Sequence, residues 1–311
     1  MRFRLIEDHR EIWPVRVMCE ALSVSPSGYY AWRSRPDSPR KIANRALLVD
    51  IRRVHAQHRE RYGAPRIYAQ LCAEGQTVSR KRVERVMRQH GIRARTPRRY
   101  RVCTTDSKHC LPVAANLLEQ NFVAHRPDQV WLADITYIPT NEGWLYLAVI
   151  LDLFTRKVVG WAMREHMRAE LTIAALIMAI QRRRPGAGLI HHSDRGSQYA
   201  ASQYRDILQA AAITQSMSRK ANCWDNAPME SFFGTLKTEL VHQCQYPDCD
   251  TARRELFAYI EGYYNRARIH SAIGYITPQQ AEAEAAQPRV HLSGGRSVRR
   301  SASISVAISR R

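Results

Sequence analysis

A chain of 311 residues that is 45% hydrophobic and 24% charged is too apolar to be disordered, and long enough for about two domains. Its formal charge of +20 favours a polyanionic partner, and the excess is uneven: residues 1–126 carry 26 Lys and Arg against 11 Asp and Glu, residues 127–311 carry 22 against 17. No run approaches the roughly 18 apolar residues that span a bilayer, and the start Met1-Arg2-Phe3-Arg4 breaks into charge before any apolar core, so the expectation is a cytoplasmic protein without a signal peptide or membrane span.

Residues 12–33 read as a short helical pair, with Ser25-Pro26 as N-cap and first helical position. Tyr29, Tyr30 and Trp32 suit packing of that hairpin better than stacking on bases. Arg33–Lys41, with Pro36 and Pro39, reads as a linker. From Ala43 to Gly91 three helices are predicted: one burying Leu47, Leu48, Ile51 and Val54, a short one with Ile67 and Leu71, and a third from the N-cap Ser79 to Gly91. The third turns Val83, Val86 and Met87 inward and leaves Arg80, Lys81, Arg85 and Arg88 outside. Three helices ending in a basic one suit a helix-turn-helix that lays its last helix in a groove of DNA. Arg93, Arg95, Arg98, Arg99 and Arg101 continue the charge, and most such contacts reach phosphates.

Residues 102–127 read as a linker, after which the pattern turns to strands. Gln129–Thr140 alternates so that Asp134 shares a face with Leu132 and Thr136. Asn141-Glu142-Gly143 is a hairpin turn, and Trp144–Leu151 and Lys157–Met163 are two further strands. A helix over Arg168–Arg184, a strand over Leu189–His192 running into Asp194 and a glycine, a helix over Ser202–Ala212 and an edge strand near Ile213–Met217 follow. A loop at Asn222–Asn226 leads to a helix with Pro228 in its first turn and Glu230 just after. Lys237 falls near the same face roughly 10 Å further along. Asp250–Ile269 is predicted as one long helix, a short element starts at Thr277-Pro278, and 287–311 is a Ser/Arg-rich basic tail, read as disordered. Seven scattered cysteines include no C-x-x-C pair; Cys103 with His109 and Cys110, or His242 with Cys244 and Cys249, lack a second half for zinc and read as reduced thiols.

Three acids carry the chemistry. An aspartate in mid-strand among apolar residues is costly unless paired or metal-bound, and an acid at a strand end can meet it if the strands are neighbours. A divalent cation offsets the mutual repulsion of such carboxylates, and magnesium or manganese suits oxygen ligands better than zinc. Two ions about 4 Å apart activate a water or a 3′-hydroxyl and stabilise the leaving oxygen at phosphorus. A hydrolase reading of His191-His192-Ser193 fails because no G-x-S-x-G elbow is present and neighbouring strand residues face opposite ways.

The chain resembles the transposase encoded by the downstream reading frame of two-frame bacterial insertion sequences, in the retroviral-integrase superfamily. The phrases that carry the resemblance are Tyr62-Gly63-Ala64-Pro65-Arg66-Ile67, Val78-Ser79-Arg80-Lys81-Arg82-Val83, Trp131-Leu132-Ala133-Asp134-Ile135-Thr136-Tyr137-Ile138, His191–Tyr199, Asp225–Lys237 and Tyr264-Asn265-Arg266-Ala267-Arg268-Ile269-His270-Ser271. The 35 residues between Asp194 and Glu230 match the spacing of that family's D,D-35-E triad. The resemblance implies an α/β fold: a ribonuclease-H-like mixed sheet flanked by helices, preceded by an all-α helix-turn-helix-like region. The expected division is 1–41 helical segment and linker, 42–101 DNA-binding region, 102–127 linker, 128–286 catalytic core, and 287–311 tail. It further implies Asp134, Asp194 and Glu230 as catalytic ligands of two Mg²⁺ or Mn²⁺ ions, with Lys237 holding DNA nearby. The expected activity is cleavage at the element's terminal inverted repeats and 3′-hydroxyl transfer into target DNA, within a homo-oligomer and as part of a fusion with an upstream-frame helix-turn-helix protein. Asn265, Arg268 and His270 are candidate DNA contacts, with a packing role equally open. Ala221 stands where the family pattern leads one to expect glycine. A catalytically inactive DNA-binding or regulatory product and a plain nuclease are the competing readings.

Overall fold

The computed structural model describes residues 1–96, 111–219 and 223–287. Arg98, Arg99, Arg101, the Cys103–His109–Cys110 set, Ala221 and the tail from 288 onward lie outside those residues.

The expected N-terminal pair is three helices, α1 (Arg2–His9), α2 (Val15–Ala21) and α3 (Pro26–Ser34). They close over Ile6, Cys19 and Tyr29, too small a core to be read from periodicity in so short a stretch. Ser25 caps α3 by accepting from the Gly28 amide at 3.0 Å. Tyr29 and Trp32 pack against Phe3. The expected linker Arg33–Lys41 is mostly helical: α4 (Pro39–Gln57) starts there because Ser38 accepts from the Lys41 amide and Pro39 preorganises the first turn. With α5 (Ala64–Ala73) and α6 (Arg80–Gln89), α4 encloses Leu47, Ile51, Val54, Ile67, Leu71, Val83, Val86 and Met87. Ser79 caps α6 and Gly91, at φ +65°, lets the chain leave it.

The second half is a five-stranded sheet in the order β3-β2-β1-β4-β5. Strands β1 (Val130–Thr140), β2 (Gly143–Asp152) and β3 (Val158–Arg164) form an antiparallel meander. Strands β4 (Ile190–Ser193) and β5 (Thr214–Met217) run parallel to β1, each parallel connection being made through helices. Helix α7 (Ala169–Arg183) lies on β3 with almost no gap. A Cβ on Gly160 would stand 2.3 Å from the Ala175 carbonyl oxygen, so only glycine admits this approach. Beside α7, α8 (Ser197–Ala200) and α9 (Ser202–Ala210) cover one sheet face around Trp131, Ala133, Leu176 and Tyr204. Helices α10 (Ala227–Glu239) and α11 (Cys249–Phe257) cover the other, around Leu132, Leu147, Phe232 and Leu256.

One further expected element differs. The long helix over Asp250–Ile269 is α11 continued by a widened π turn, Ala258–Tyr264, and it stops there. Asn265 then turns its side chain onto β3, its Oδ1 accepting from the Val158 amide at 2.9 Å and its Nδ2 donating to the Val158 carbonyl at 3.0 Å. It serves as a one-residue partner on the open edge of the sheet. Leu111–Pro127, the described part of the expected linker, is irregular as read and is also bonded to the sheet. The Met217 amide donates to the Ala115 carbonyl and the Leu117 amide to the Ser216 hydroxyl, so the segment lines the β5 edge. The last helix, α12 (Pro278–Ala286), opens on a capping box between Thr277 and Gln280. No helix among the described residues is long and apolar enough to cross a membrane.

Candidate active site

The parallel register of β1 and β4 decides where the acids meet. Ala133 pairs with Ser193, the last pair of the ladder. The next residues on the two strands are Asp134 and Asp194. Neighbouring strands lie about 4.8 Å apart and register partners point to the same side. Asp134 shares parity with Leu132, so its side chain leaves the sheet on the face that α10 covers. Helix α10 is fixed there by Asn226, whose Nδ2 donates 3.1 Å to the Ala133 carbonyl, one residue before Asp134. Glu230, in the first turn of α10, is thereby carried to the two aspartates.

Electrostatics report the same convergence. The Asp134 carboxyl is held well above the usual carboxylate range, first by burial and then by Asp194, with Glu230 adding to it. The Ile135 amide, donating to Oδ1 at 2.7 Å, and Lys237 oppose the shift. Asp194 Oδ1 accepts from the Gly196 amide at 3.0 Å. A side chain at 196 would crowd that carboxylate, with Cβ 3.1 Å from the same oxygen, which is what the glycine after the acid avoids. Lys237 stands on the same helix with its ammonium 4.6 Å from the centre of the Tyr137 ring. Burial lowers its pKa and the Asp134 charge works against that.

Among the described residues no three His, Cys, Asp or Glu side chains already stand as a closed ligand cluster. The donor set nevertheless fits a divalent cation. A buried carboxyl pushed up by two like charges is an arrangement that a hard cation relieves, and every available donor is oxygen.

Several positioning residues escaped the sequence reading. Asp225, fully buried in the 3₁₀ turn before α10, accepts from Asn116, Gln120 and three nitrogens of Arg219. Those bonds hold its pKa well below the ordinary value, with the Arg219 side chain the largest cause. Its carbonyl meets His192 Nε2 at 2.9 Å, and His192 Nδ1 meets Ser216 at 2.8 Å, which ties β4, β5 and the start of α10 together. His191 faces the other way, against the Tyr204 hydroxyl at 2.9 Å. The two histidines thus support the strand on opposite faces. Tyr199 is buried beside the aspartates; burial first, then Tyr204, Asp194 and Asp134 raise its pKa. The dipeptide Asp225-Asn226 before Pro228 was the available signal for a built helix start, but their long-range partners cannot be seen in sequence.

The candidate DNA contacts divide into two groups. Arg80, Lys81, Arg85 and Arg88 are exposed on α6, with Arg88 within 3.1 Å of Glu84. Asn265 and Arg268 are buried with internal partners, in the packing role that their sequence left open. Arg268 forms a bidentate pair with Glu239, its Nε 3.0 Å from both oxygens and its Nη2 2.8 Å from Oε1. Half-buried His270 lies against Arg268 and the Tyr264 ring, and burial together with Arg268 pushes its pKa down.

Comparison with known proteins agrees with this architecture. The integrase core domain family matches residues 124–223 and, in a second model, 211–278; the HTH-like domain family matches residues 41–100. A solved simian T-cell lymphotropic virus intasome in complex with a PP2A regulatory subunit aligns with 77% of this chain and 76% of its own, at 16% identity and a TM-score of 0.45, too slight a likeness to carry weight. The Insertion element IS600 31 kDa protein of Shigella sonnei is 48% identical over 84% of this chain and 96% of its own length. Transposase InsF for insertion sequence IS3A of Escherichia coli (strain K12) is 40% identical over 91% of this chain and 98% of its own. Identity at that level along nearly the whole of both chains, together with the matches to the integrase core and HTH-like families, means that the chain belongs to the insertion-sequence transposase family with an integrase core.

Proposed function

We propose that this protein is a metal-dependent DNA transposase that cleaves at the ends of its insertion sequence and joins the resulting 3′-hydroxyl to target DNA. The observation that carries the reading is the register of β1 on β4, which puts Asp134 and Asp194 side by side under the helix that bears Glu230. Those three carboxylates would hold Mg²⁺ or Mn²⁺. Bound there, the ions supply Lewis acidity at phosphorus and a deprotonated attacking oxygen near neutral pH.

The chain's own residues do the rest. Asn226 and Asp225 hold α10 so that Glu230 keeps its place against the strands. The half-buried ammonium of Lys237 contributes positive charge beside Asp134, where a DNA phosphate would lie. Exposed Arg80, Lys81, Arg85 and Arg88 contact the phosphate backbone and give affinity more than sequence choice. In the cell the reaction belongs to the bacterial cytoplasm, in a homo-oligomer on DNA and in a fusion with the upstream-frame DNA-binding protein, which reads the terminal inverted repeats.

The test uses the DNA flanking the gene as substrate, with Mg²⁺ or Mn²⁺, on the chain alone and fused to the upstream frame. Strand-transfer product that is lost with Asp134→Asn, Asp194→Asn and Glu230→Gln, while those variants still bind DNA, is the expected result. Cleavage without joining points to a nuclease, and DNA binding without chemistry in either form sinks the enzymatic reading.

A further inference from the structure

Between α10 and the helix-turn-helix-like region runs a cleft of about 580 Å³. Its floor is Ser231, Gly234, Thr235 and Thr238, residues spaced three and four apart and so on one face of α10. None is larger than threonine, which keeps the floor open. The walls carry Arg61, Arg66, Arg95 and Arg268. A smaller cavity of about 110 Å³ adjoins it, sharing Arg66, Thr235 and Arg268, and reaches Arg156. Five guanidinium groups therefore face two joined cavities whose lining contains a single carboxylate, Glu239. That carboxylate is paired with Arg268 and stands 4.0 Å from Arg66, so five guanidinium groups less one carboxylate leave an excess of four positive charges, with Arg268 serving as a packed wall and not as a free fork.

The guanidinium groups are fixed in place. Arg61 Nε and Arg95 Nη1 each donate 3.2 Å to the Glu239 carbonyl, and Arg66 Nε donates 3.2 Å to the Ile269 carbonyl. A guanidinium carries five N–H donors in a rigid fork, so one anchoring bond orients the others. Arg156 is the most telling. Its side chain is only 7% exposed, its Nε has no hydrogen-bond acceptor among the described residues, and it lines the smaller cavity. Its backbone is held at φ +61°, an uncommon conformation for a residue that is not glycine. A cation buried without a full set of acceptors is costly, and an anion in the cavity would supply them.

We propose that this cleft is a phosphate-binding channel that grips the phosphodiester backbone of the DNA strand passing between the helix-turn-helix-like region and the candidate catalytic carboxylates. The assignment rests on the transposase reading. Planar guanidinium forks match phosphate oxygens, and the floor begins at Ser231, the residue after Glu230. Phosphate contacts of this kind do not depend on base sequence.

The charge of the floor can be changed without touching an arginine. Thr235→Glu and Thr235→Gln differ in charge and hardly in shape, and position 235 is shared by both cavities. Binding of a mixed-sequence DNA duplex is measured over a range of salt for wild type, both Thr235 variants and Arg156→Gln, with melting curves to confirm folding. Thr235→Gln adds the same bulk without charge and sets the reference. Thr235→Glu is expected to bind about tenfold more weakly than Thr235→Gln, with a salt dependence shallower by about one unit for each phosphate that the channel no longer neutralises. Equal affinity and equal slope for the Glu and Gln variants would overturn the channel, even if Arg156→Gln fails to fold. Inorganic phosphate that raises the melting point of Thr235→Gln but not Thr235→Glu, with equal DNA binding, would mark a free-anion site and also overturn it. Nicking and joining are scored for the same variants on the DNA flanking the gene, with Mg²⁺ or Mn²⁺, on the chain alone and fused to the upstream frame, beside Asp194→Asn. A Glu/Gln difference in binding without chemistry in any sample supports the channel and refutes the transposase reading; chemistry with no such difference does the reverse.

Discussion

Glu239→Gln should be one of the most destabilising conservative changes in the chain. Glu239 is 5% exposed at the last turn of α10, and its carboxylate holds the buried Arg268 guanidinium through the bidentate pair and accepts from the Tyr259 hydroxyl at 2.8 Å. Glutamine keeps the shape and an acceptor for Tyr259, and leaves the carbonyl that Arg61 and Arg95 share untouched. What it removes is the negative charge, so Arg268, 3% exposed, is left as a buried cation facing an amide. Breaking a buried pair from one side costs about 3–5 kcal/mol. With about 2.1 cal/mol/K of unfolding entropy per residue, 311 residues give roughly 1.5 °C per kcal/mol, so the melting midpoint should fall by about 5–8 °C. Adding Arg268→Met removes the stranded cation, so the double variant should recover a large part of the loss, which a double-mutant cycle reads directly as coupling. A Glu239→Gln midpoint within about 2 °C of wild type, or strictly additive losses in the double variant, would refute the idea that one charge pair clamps the end of α10.

Gly160→Ala should destabilise by about 1–3 kcal/mol, because its Cβ would press on α7 backbone at Ala175 and Ala179 and not on a flexible side chain; an unchanged melting midpoint would show that α7 does not sit as close as described. Acid should weaken the fold through its buried histidines. His58, 4% exposed and stacked on Tyr62 with ring centres 3.8 Å apart, has its pKa lowered to about 4, mainly by burial and then by Arg61; burial takes His191 to about 3. For such a base the unfolded chain binds the extra proton between the folded value and about 6.5, so stability rises with pH through that window and is lost as pH falls through it. The His58 shift corresponds to about 3 kcal/mol, and His58→Phe, which keeps the stacking, should show a shallower loss between about pH 6.5 and 4 in acid titrations of the melting midpoint. Parallel titration curves for the two proteins would remove His58 from the account.

Elements with strong local signals were legible in the chain alone. Ser25-Pro26 and Ser79 cap helices as expected, the meander from Gln129 to Met163 forms, and α6 shows Arg80, Lys81, Arg85 and Arg88 to solvent. The misreadings fall where local pattern is weak or overridden. Pro39 read as a linker residue but opens α4, since a proline preceded by serine suits a first helical turn as well as a break. The apolar spacing from Asp250 onward continues past the helix end. Nothing in it marks the π turn or the way Asn265 bonds to the edge of β3. The Arg268 motif read equally as contact or packing because its partner, Glu239, lies 29 residues away.

The same division holds for the candidate site. Residue type and spacing in the chain determined that three acids and a basic helix were worth attention, because carboxylates stranded among apolar residues are costly without a counter-charge. Spacing alone could not say that β4 lies beside β1, or that their ladder ends with Ala133 against Ser193 so that Asp134 and Asp194 follow together. Nor could it place Arg61, Arg66, Arg95, Arg156 and Arg268 around one cleft, since they come from distant stretches of sequence. Local composition fixes which side chains can form helices, strands and ligands; only the tertiary register, set by which apolar faces bury against each other, decides which of them meet.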